Sequence, residues 1–526
     1  MEVYSIREQI NPLVIAGGFA ALFLAYQIGF AVYNVYFSPL AHIPGPWYSA
    51  ITRLPYVHQL QKGTTGAYLR KLHEQYGDVV RYSPDEVSFI SGETAWQDIY
   101  GFRTGKSKGT ESFQKVRIIC VVIRGKLTVV KNPVFYGKPP NGVPSMLLAA
   151  DQPHGRMRRT ISHAFSDKAL REQEPLIQRY ADLLIDRLKE VTSESPTHIA
   201  DMKNWLNWTT FDIISDLLFG VPFGCLANAQ THEYVQLLLD GLKGFSMVYF
   251  LYYFPWASKY LGSLVVDKHM IARRMQFSKW TYSQVRKRAA RETQRPDFMT
   301  YILAHKDGDG VKSGISEDEM DSNGTLFLTA GTETTAHTLA IATHLTLTHP
   351  DIYHKLKEEI RGRFTKNEEI TIDAANELEY TIAVLTEALR FLPPVPAGFS
   401  RKVPEGGATV SGHYLPGNTG VSMTHYAAYR SERNFKDPDL FVPDRWLGAE
   451  RYKDDNRATF QPFSFGPRNC LGKNLAYAEL RVIFAKLIFH FDMELSDESR
   501  NWMDGFKLMG LWVKGPLYVK LTPVAP

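Results

Sequence analysis

The chain has 526 residues, 44% of them hydrophobic, and sets 60 Lys and Arg against 55 Asp and Glu for a net charge of +5. That length exceeds the ~250–300 residues that one simple core usually reaches, which predicts one large α-rich domain or two domains. The charge excess is too slight for a nucleic-acid binder. Three cysteines (Cys120, Cys225 and Cys470) are too few and too odd for a disulfide framework, which fits a reducing compartment.

No Asp, Glu, Lys or Arg occurs from Gln9 to Thr52, and residues 13–37 are almost wholly apolar, with Gln27 and Asn34 as exceptions. As a helix this stretch spans ~37 Å, enough to cross a ~30 Å apolar bilayer core with some tilt. A signal peptide would have a basic start and a shorter apolar run, whereas the first nine residues carry Glu2, Arg7 and Glu8. Residues 1–38 therefore read as a membrane anchor. Pro39, Pro44, Gly45 and Pro46 make residues 39–52 a stiff, non-helical hinge. Arg53, Lys62, Arg70 and Lys71 follow, and the positive-inside tendency then places residues 53–526 in the cytosol.

Beyond the hinge the pattern predicts a helix at 68–76 and strands at 79–82 and 87–90. Residues 167–366 read as mostly helical, with an amphipathic stretch at 176–191. A long helix is predicted over 317–349, ended by Pro350, and another over 381–391, stopped by Pro393 and Pro394. Short strands follow around 408–417, and a helix starts at Lys473. The chain shows neither an internal repeat nor a low-complexity run.

Four segments carry chemistry. In Phe463-Ser-Phe-Gly466-Pro-Arg468-Asn-Cys470-Leu-Gly472, one cysteine stands between a Gly- and Pro-containing loop and a helix start. Backbone N–H groups there favour an anion, so the thiol should ionise easily. Such a thiolate can be a nucleophile, a zinc ligand or the axial ligand of a haem iron. No second cysteine lies within ligand spacing, so a cysteine-built zinc site fails. In Ala330-Gly331-Thr332-Glu333-Thr334-Thr335, Gly331 costs about 1 kcal/mol relative to Ala within a helix, and clustered threonines also disfavour it. That conflict marks a place where a groove opens for a ligand, and an acid beside a hydroxyl is a workable proton relay. The plainer reading is a polar face whose Thr hydroxyls bond back to i−4 carbonyls.

Glu387-Ala-Leu-Arg390 is an i,i+3 acid–base pair, followed by Phe441-Val-Pro-Asp-Arg445-Trp. The spacing is cheap, since Glu292–Arg295 and Glu358–Arg361 share it. Asp151-Gln-Pro-His154-Gly-Arg156-Met-Arg158-Arg159 puts His154 and Arg158 on one helix face, placed to hold a carboxylate pair or to form a basic surface patch.

Together and in this order, the motifs resemble the cytochrome P-450 haem-thiolate monooxygenases from about Pro39 to Val519. Phe463, Gly466, Arg468, Cys470 and Gly472 fill every fixed position of that family's cysteine-loop signature. The anchor, hinge and motif wording are similar to microsomal fungal enzymes of secondary metabolism. The resemblance implies a mainly α fold with small β-sheets behind one N-terminal transmembrane helix, a haem b cofactor, and Cys470 as the axial iron ligand. It implies that Phe463 shields the sulfur and that Gly466 lets the loop pass close to the porphyrin. N–H groups after Cys470, including the turn at Gly472, would temper the thiolate. His154, Arg158, Arg401 and Arg468 are the implied propionate partners, although many relatives carry Trp where His154 stands. Glu333 and Thr334 match the proton-delivering pair, and Glu387, Arg390 and Arg445 match a buried structural triad.

The implied reaction inserts one oxygen atom from O2 into a lipophilic small molecule, by hydroxylation or epoxidation. The pocket would be lined by Ala330, residues 395–399 and residues 509–511. Electrons would come from NADPH through a separate reductase docking near Arg457, Arg468 and Lys473, with cytochrome b5 as a further donor. The implied location is the endoplasmic reticulum membrane, single-pass, with a cytosolic catalytic domain. Two other readings keep the fold: a haem-thiolate isomerase or dehydratase, which typically loses the acid–alcohol pair, and a non-catalytic haem-binding protein.

One segment departs from the pattern. Val116-Arg-Ile-Ile-Cys-Val-Val-Ile-Arg-Gly-Lys-Leu-Thr-Val-Val-Lys131 separates Lys115 from Asn132, which relatives tend to join almost directly. The block opens on Val (GTN) and closes on Lys (AAG is one codon), so it reads either as a retained intron or as a genuine insertion in the substrate-access loop. Its β-branched, proline-free composition is aggregation-prone if exposed.

Overall fold

The computed structural model describes residues 12–92, 94–102, 114–115, 117–119, 129–131, 141–195, 197–233, 235–237, 253–254, 268–305 and 314–524. Helix Pro12–Val32 runs into a π-helical turn, Tyr33–Phe37. Its apolar side chains stand exposed, Phe19 and Leu22 at 70%, and the stretch Ala16–Phe37 is long and apolar enough to cross a membrane. The end of this helix is tied to the body: buried Arg81 donates Nη1 to Asn34 O at 2.9 Å and Nη2 to Pro84 O at 2.7 Å. The stretch expected to be wholly non-helical contains one short helix, Trp47–Ile51, which starts directly after Pro46.

The body is mainly helical with small sheets, as predicted. Its core gathers around helix Glu317–Leu347, packed along helix Met202–Phe219, whose side chains are buried on nearly every face. The long helix starts at a capping box: Ser316 Oγ accepts from Glu319 N at 3.2 Å, and Glu319 Oε2 accepts from Ser316 N at 2.9 Å. Pro350 follows its end and opens the next helix, Pro350–Arg363, where a missing N–H costs nothing. Helices Asp151–Ser162, Asp167–Glu194, Glu379–Phe391 and Lys473–His490 complete the frame of the site. The helices expected at 68–76 and 381–391 are Thr65–Tyr76 and Glu379–Phe391.

A five-stranded sheet beside the helices runs in the order Val79–Ser83, Glu86–Phe89, Gly420–Met423, Arg401–Lys402, Gln114–Lys115. Gly420–Met423 lies parallel to Glu86–Phe89, with Val421 beside Val87; the other pairings are antiparallel. A three-stranded sheet joins Phe491–Leu495, Tyr518–Pro523 and Ile199–Asp201. Two hairpins, Ala408–Val410 with His413–Leu415 and Lys507–Met509 with Leu511–Val513, stand apart from both sheets. Within the departing segment, Arg117–Ile119 pairs antiparallel with Val129–Lys131; residues 116 and 120–128, Cys120 among them, lie outside the described residues.

Candidate active site

The cysteine loop is bent by two residues in the left-handed region, Ser464 (φ 62°) and Gly466 (φ 71°). At Gly466 a Cβ would lie 2.0 Å from Tyr100 O, so the loop reaches this depth only as glycine. Cys470 N then donates to Phe463 O at 2.8 Å and Asn469 N to Gly466 O at 3.1 Å, which turns the chain into helix Lys473–His490 with Gly472 at its N-cap. The prediction of an easily ionised thiol holds only in part. Cys470 has accessible surface, yet its sulfur lies deep among protein atoms, and loss of hydration pushes the thiol up. The N–H of Gly472 and the charges of Arg158 and Lys473 pull it down, by a smaller amount.

Guanidinium groups surround the loop. Arg158 donates Nη1 to Asn469 O at 2.8 Å and Nη2 to Asn469 Oδ1 at 2.5 Å, so helix Asp151–Ser162 grips the residue preceding the cysteine. Arg468 Nη2 donates to Ala149 O at 2.9 Å and Asp151 Oδ1 at 2.7 Å, while its buried Nη1 has no partner among the described residues. His154 is buried on the same helix. Buried Arg401 lies over the Tyr100 ring, 5.2 Å from its centre. A cleft of about 600 Å³ between helix and loop is lined by His154, Arg158, Phe463, Lys473 and Tyr477.

Two aromatic residues that no motif marked organise this region. The Tyr100 hydroxyl donates to Phe399 O at 2.8 Å and accepts from Met423 N at 3.2 Å. Its carbonyl bears Gly466 and its ring bears Arg401, so one residue sets the loop, a cation and the 395–399 segment. Tyr477 packs on Phe463, ring centres 4.9 Å apart.

On the long helix, the threonine cluster bonds backwards. Thr329, Thr332, Thr334 and Thr338 each donate to the carbonyl four residues earlier, at 2.7–3.0 Å. Gly331 does not open a groove. A Cβ there would lie 2.8 Å from Ile214 Cγ1, so the glycine admits the side chain of the neighbouring helix. Thr210 Oγ1 of that helix also donates to Thr332 O at 3.0 Å. Ala330, one position earlier, is exposed. Glu333 is buried and forms an ion pair with Lys514, from the far end of the chain, and its Oε2 has no partner among the described residues. Lys514 was not legible as a partner, because nothing local connects it to Glu333.

Glu387, Arg390 and Arg445 come together, all buried. Arg390 Nη2 reaches Glu387 Oε1 at 2.8 Å and Arg445 Nε reaches the same oxygen at 3.1 Å. Asp455, absent from the prediction, joins Arg445 at 2.5 Å and makes the set a tetrad.

One soft sulfur ligand among guanidinium donors suits an iron porphyrin: the Cys470 thiolate would hold the metal, and the Nη1 of Arg468, unpartnered among the described residues, would serve a propionate oxygen. Among the described residues no cluster of His, Cys, Asp and Glu would hold a bare metal ion instead. Fold and site together define a haem-thiolate enzyme. A family model described as Cytochrome P450 matches residues 124–521. Over the full length of both chains the protein is 50% identical to the cytochrome P450 monooxygenase traB of Penicillium crustosum. It is 42% identical to the cytochrome P450 monooxygenase lcsI of Purpureocillium lilacinum, covering 99% of this chain and 97% of that one. It is also 38% identical to the averantin hydroxylase of Dothistroma septosporum, covering 99% and 94%. The chain belongs to the cytochrome P450 family. It is a haem b monooxygenase of the fungal secondary-metabolism type, acting on a lipophilic small molecule with NADPH electrons delivered by a separate reductase.

Proposed function

We propose that this enzyme hydroxylates or epoxidises a lipophilic intermediate of a fungal secondary-metabolite pathway, from a catalytic domain (53–526) held at the endoplasmic reticulum by anchor 1–38 and hinge 39–52. When bound, the haem supplies dioxygen activation with two electrons from NADPH, and its thiolate ligand favours O–O cleavage. In this reading Cys470 is that ligand, and the Gly472 N–H limits how far its charge spreads. Arg158, Arg401, Arg468 and His154 hold the propionates, with Phe463 over the sulfur. Glu387, Arg390 and Arg445 brace the loop. The reductase, and cytochrome b5 where it contributes, docks near Arg457, Arg468 and Lys473. Exposed Ala330 and the half-buried apolar residues Val395, Phe399, Met509 and Leu511 offer the substrate apolar surface, which excludes water around the reacting carbon. The similarity to the averantin hydroxylase favours hydroxylation over epoxidation.

The observation that carries oxygenation over isomerisation or simple haem binding is the intact pair at the middle of the long helix. Glu333 keeps one oxygen without a partner among the described residues, and Thr334, whose hydroxyl donates to Ala330 O, follows it in the chain. Proton delivery needs an acid with an open oxygen and a hydroxyl to pass it on; an isomerase needs neither. In the enzyme reconstituted with reductase, Thr334→Ala should release peroxide in place of product, with NADPH consumption sustained. Incorporation of ¹⁸O from labelled O2 into the wild-type product completes the test. Full coupling in Thr334→Ala would remove the relay, and unlabelled product would remove the monooxygenation itself.

A further inference from the structure

Lys514 directly follows strand Leu511–Val513 of the C-terminal hairpin. Its side chain is 3% exposed and that of Glu333 5%, so both charges of their ion pair have left water. Lys514 Nζ also lies 3.3 Å from His337 Nδ1, one helical turn beyond Glu333. His337 Nε2 lies 3.0 Å from Leu392 O. A carbonyl only accepts, so Nε2 carries the ring proton and Nδ1 accepts from Lys514. Burial, and then the Lys514 charge, hold His337 far below its ordinary range, which keeps the ring neutral. The group is thus one cation, one anion and one neutral acceptor. Trp512 fastens the hairpin beside this contact: its ring lies parallel to His337 at 6.4 Å and 8°, and its Nε1 donates to Pro393 O at 2.9 Å.

We propose that Lys514 is a positioning residue for proton delivery: by engaging Glu333 Oε1 it keeps the carboxylate ionised and turned so that Oε2 alone is open to carry a proton toward Thr334. This rests on the reading of Glu333 and Thr334 as the proton-delivering pair. A buried carboxylate without a counter-ion takes up a proton and keeps it, which would leave it unable to accept the next one from solvent. Lys514 prevents that. Because Lys514 rides on the hairpin whose turn, 509–511, is assigned to the substrate pocket, the position of that hairpin sets the charge state of the relay.

The surrounding groups leave this role to Lys514. From helix Met202–Phe219 the contact is the neutral hydroxyl of Thr210 on Thr332 O. Helix Lys473–His490 presents Glu479, engaged with Thr335. On helix Glu379–Phe391, Glu387 and Arg390 hold each other. Among the described residues, Lys514 is the only cation in ion-pair contact with Glu333.

The test uses the haem-loaded full-length enzyme, with the infrared C=O band of protonated Glu333 identified by subtracting the Glu333→Gln spectrum. In Lys514→Met the pH at which that band appears should rise by about 1–3 units, the usual effect of losing one adjacent opposite charge. In Lys514→Arg it should stay near the wild-type value. An unmoved band in Lys514→Met overturns the proposal. If Lys514→Met loads no haem, the double change Glu333→Gln with Lys514→Gln removes both charges and should load haem normally; failure to load overturns the proposal as well. Glu333→Gln alone reports on the relay: peroxide released per NADPH should rise in it. An unchanged ratio there would sink the relay reading while leaving the infrared result to judge the counter-ion.

Discussion

Glu387 accepts from five donors: Arg390 Nε at 2.9 Å and Nη2 at 2.8 Å, Arg445 Nε at 3.1 Å, Val442 N at 3.0 Å and Trp446 Nε1 at 2.9 Å. Arg390 gives its other N–H groups to Tyr429 O, Pro438 O and Leu440 O, and Arg445 gives two of its own to Lys436 O and Asp437 O, so two guanidiniums hold the backbone ahead of the cysteine loop. Burying charge is tolerable here because every lone pair is met and Asp455 neutralises Arg445. Arg390→Ala should cost ~3–5 kcal/mol by leaving a buried anion short of its partner, and the purified protein should carry little haem per polypeptide. Normal haem content in that variant would overturn the bracing role. The sequence showed the Glu-x-x-Arg pair but not its weight. At the same spacing Glu358 lies near His354 and Arg361 binds Asp492, both exposed pairs, while Arg295 goes to Asp216. Burial makes the difference, and burial depends on the distant segment 429–455. Asp455 carried no local signal at all.

At the scale of elements, helix boundaries were legible because they are chemical: Ser316 and Glu319 cap one helix, and prolines stop others. Contacts between elements were not. Gly331 read as a weak point of its helix, and its cause proved to be Ile214 on another. This can be measured. Gly331→Ala gains about 1 kcal/mol of helix propensity but overpacks the interface, which typically costs ~1–3 kcal/mol, so a small net loss of stability is expected. Ile214→Ala alone should destabilise by ~2–5 kcal/mol. In the double variant the two losses should fall short of additivity by ~0.5–3 kcal/mol, since the new methyl enters the space the isoleucine leaves. Strict additivity in urea unfolding would show that the helices do not meet at this point. Lys514 and Glu333 make the same case from 181 positions apart. Periodicity reports which face of a helix is buried, not what comes to cover it.

For the whole molecule, buried titratable groups bound stability on both sides. His73, His344, His425 and His490 are each held down to about 4, chiefly by burial, and burial also holds His337 well below its ordinary range. Between pH 6.5 and 4 the unfolded chain protonates these five while the native protein does not, so stability falls as pH falls. Buried carboxyls oppose this, Asp201 and Asp321 among them. Burial pushes Glu479 up to about 8, Asp212 up to about 6, and Glu86 above its usual range, so the native state holds protons there that the unfolded chain has lost. Near pH 5–6 the histidines outnumber Glu479 and Asp212, so unfolding takes up protons and stability falls as pH falls. Above pH 6.5 the histidines no longer contribute, and Glu479 reverses the slope until about pH 8. Stability of the haem-loaded protein in urea should therefore peak near pH 6.5. Glu479→Gln should flatten the alkaline limb and steepen the acid one, because it removes one opposing proton from each. An alkaline limb that survives in Glu479→Gln would mean that another group, not the carboxyl beside Thr335, titrates there.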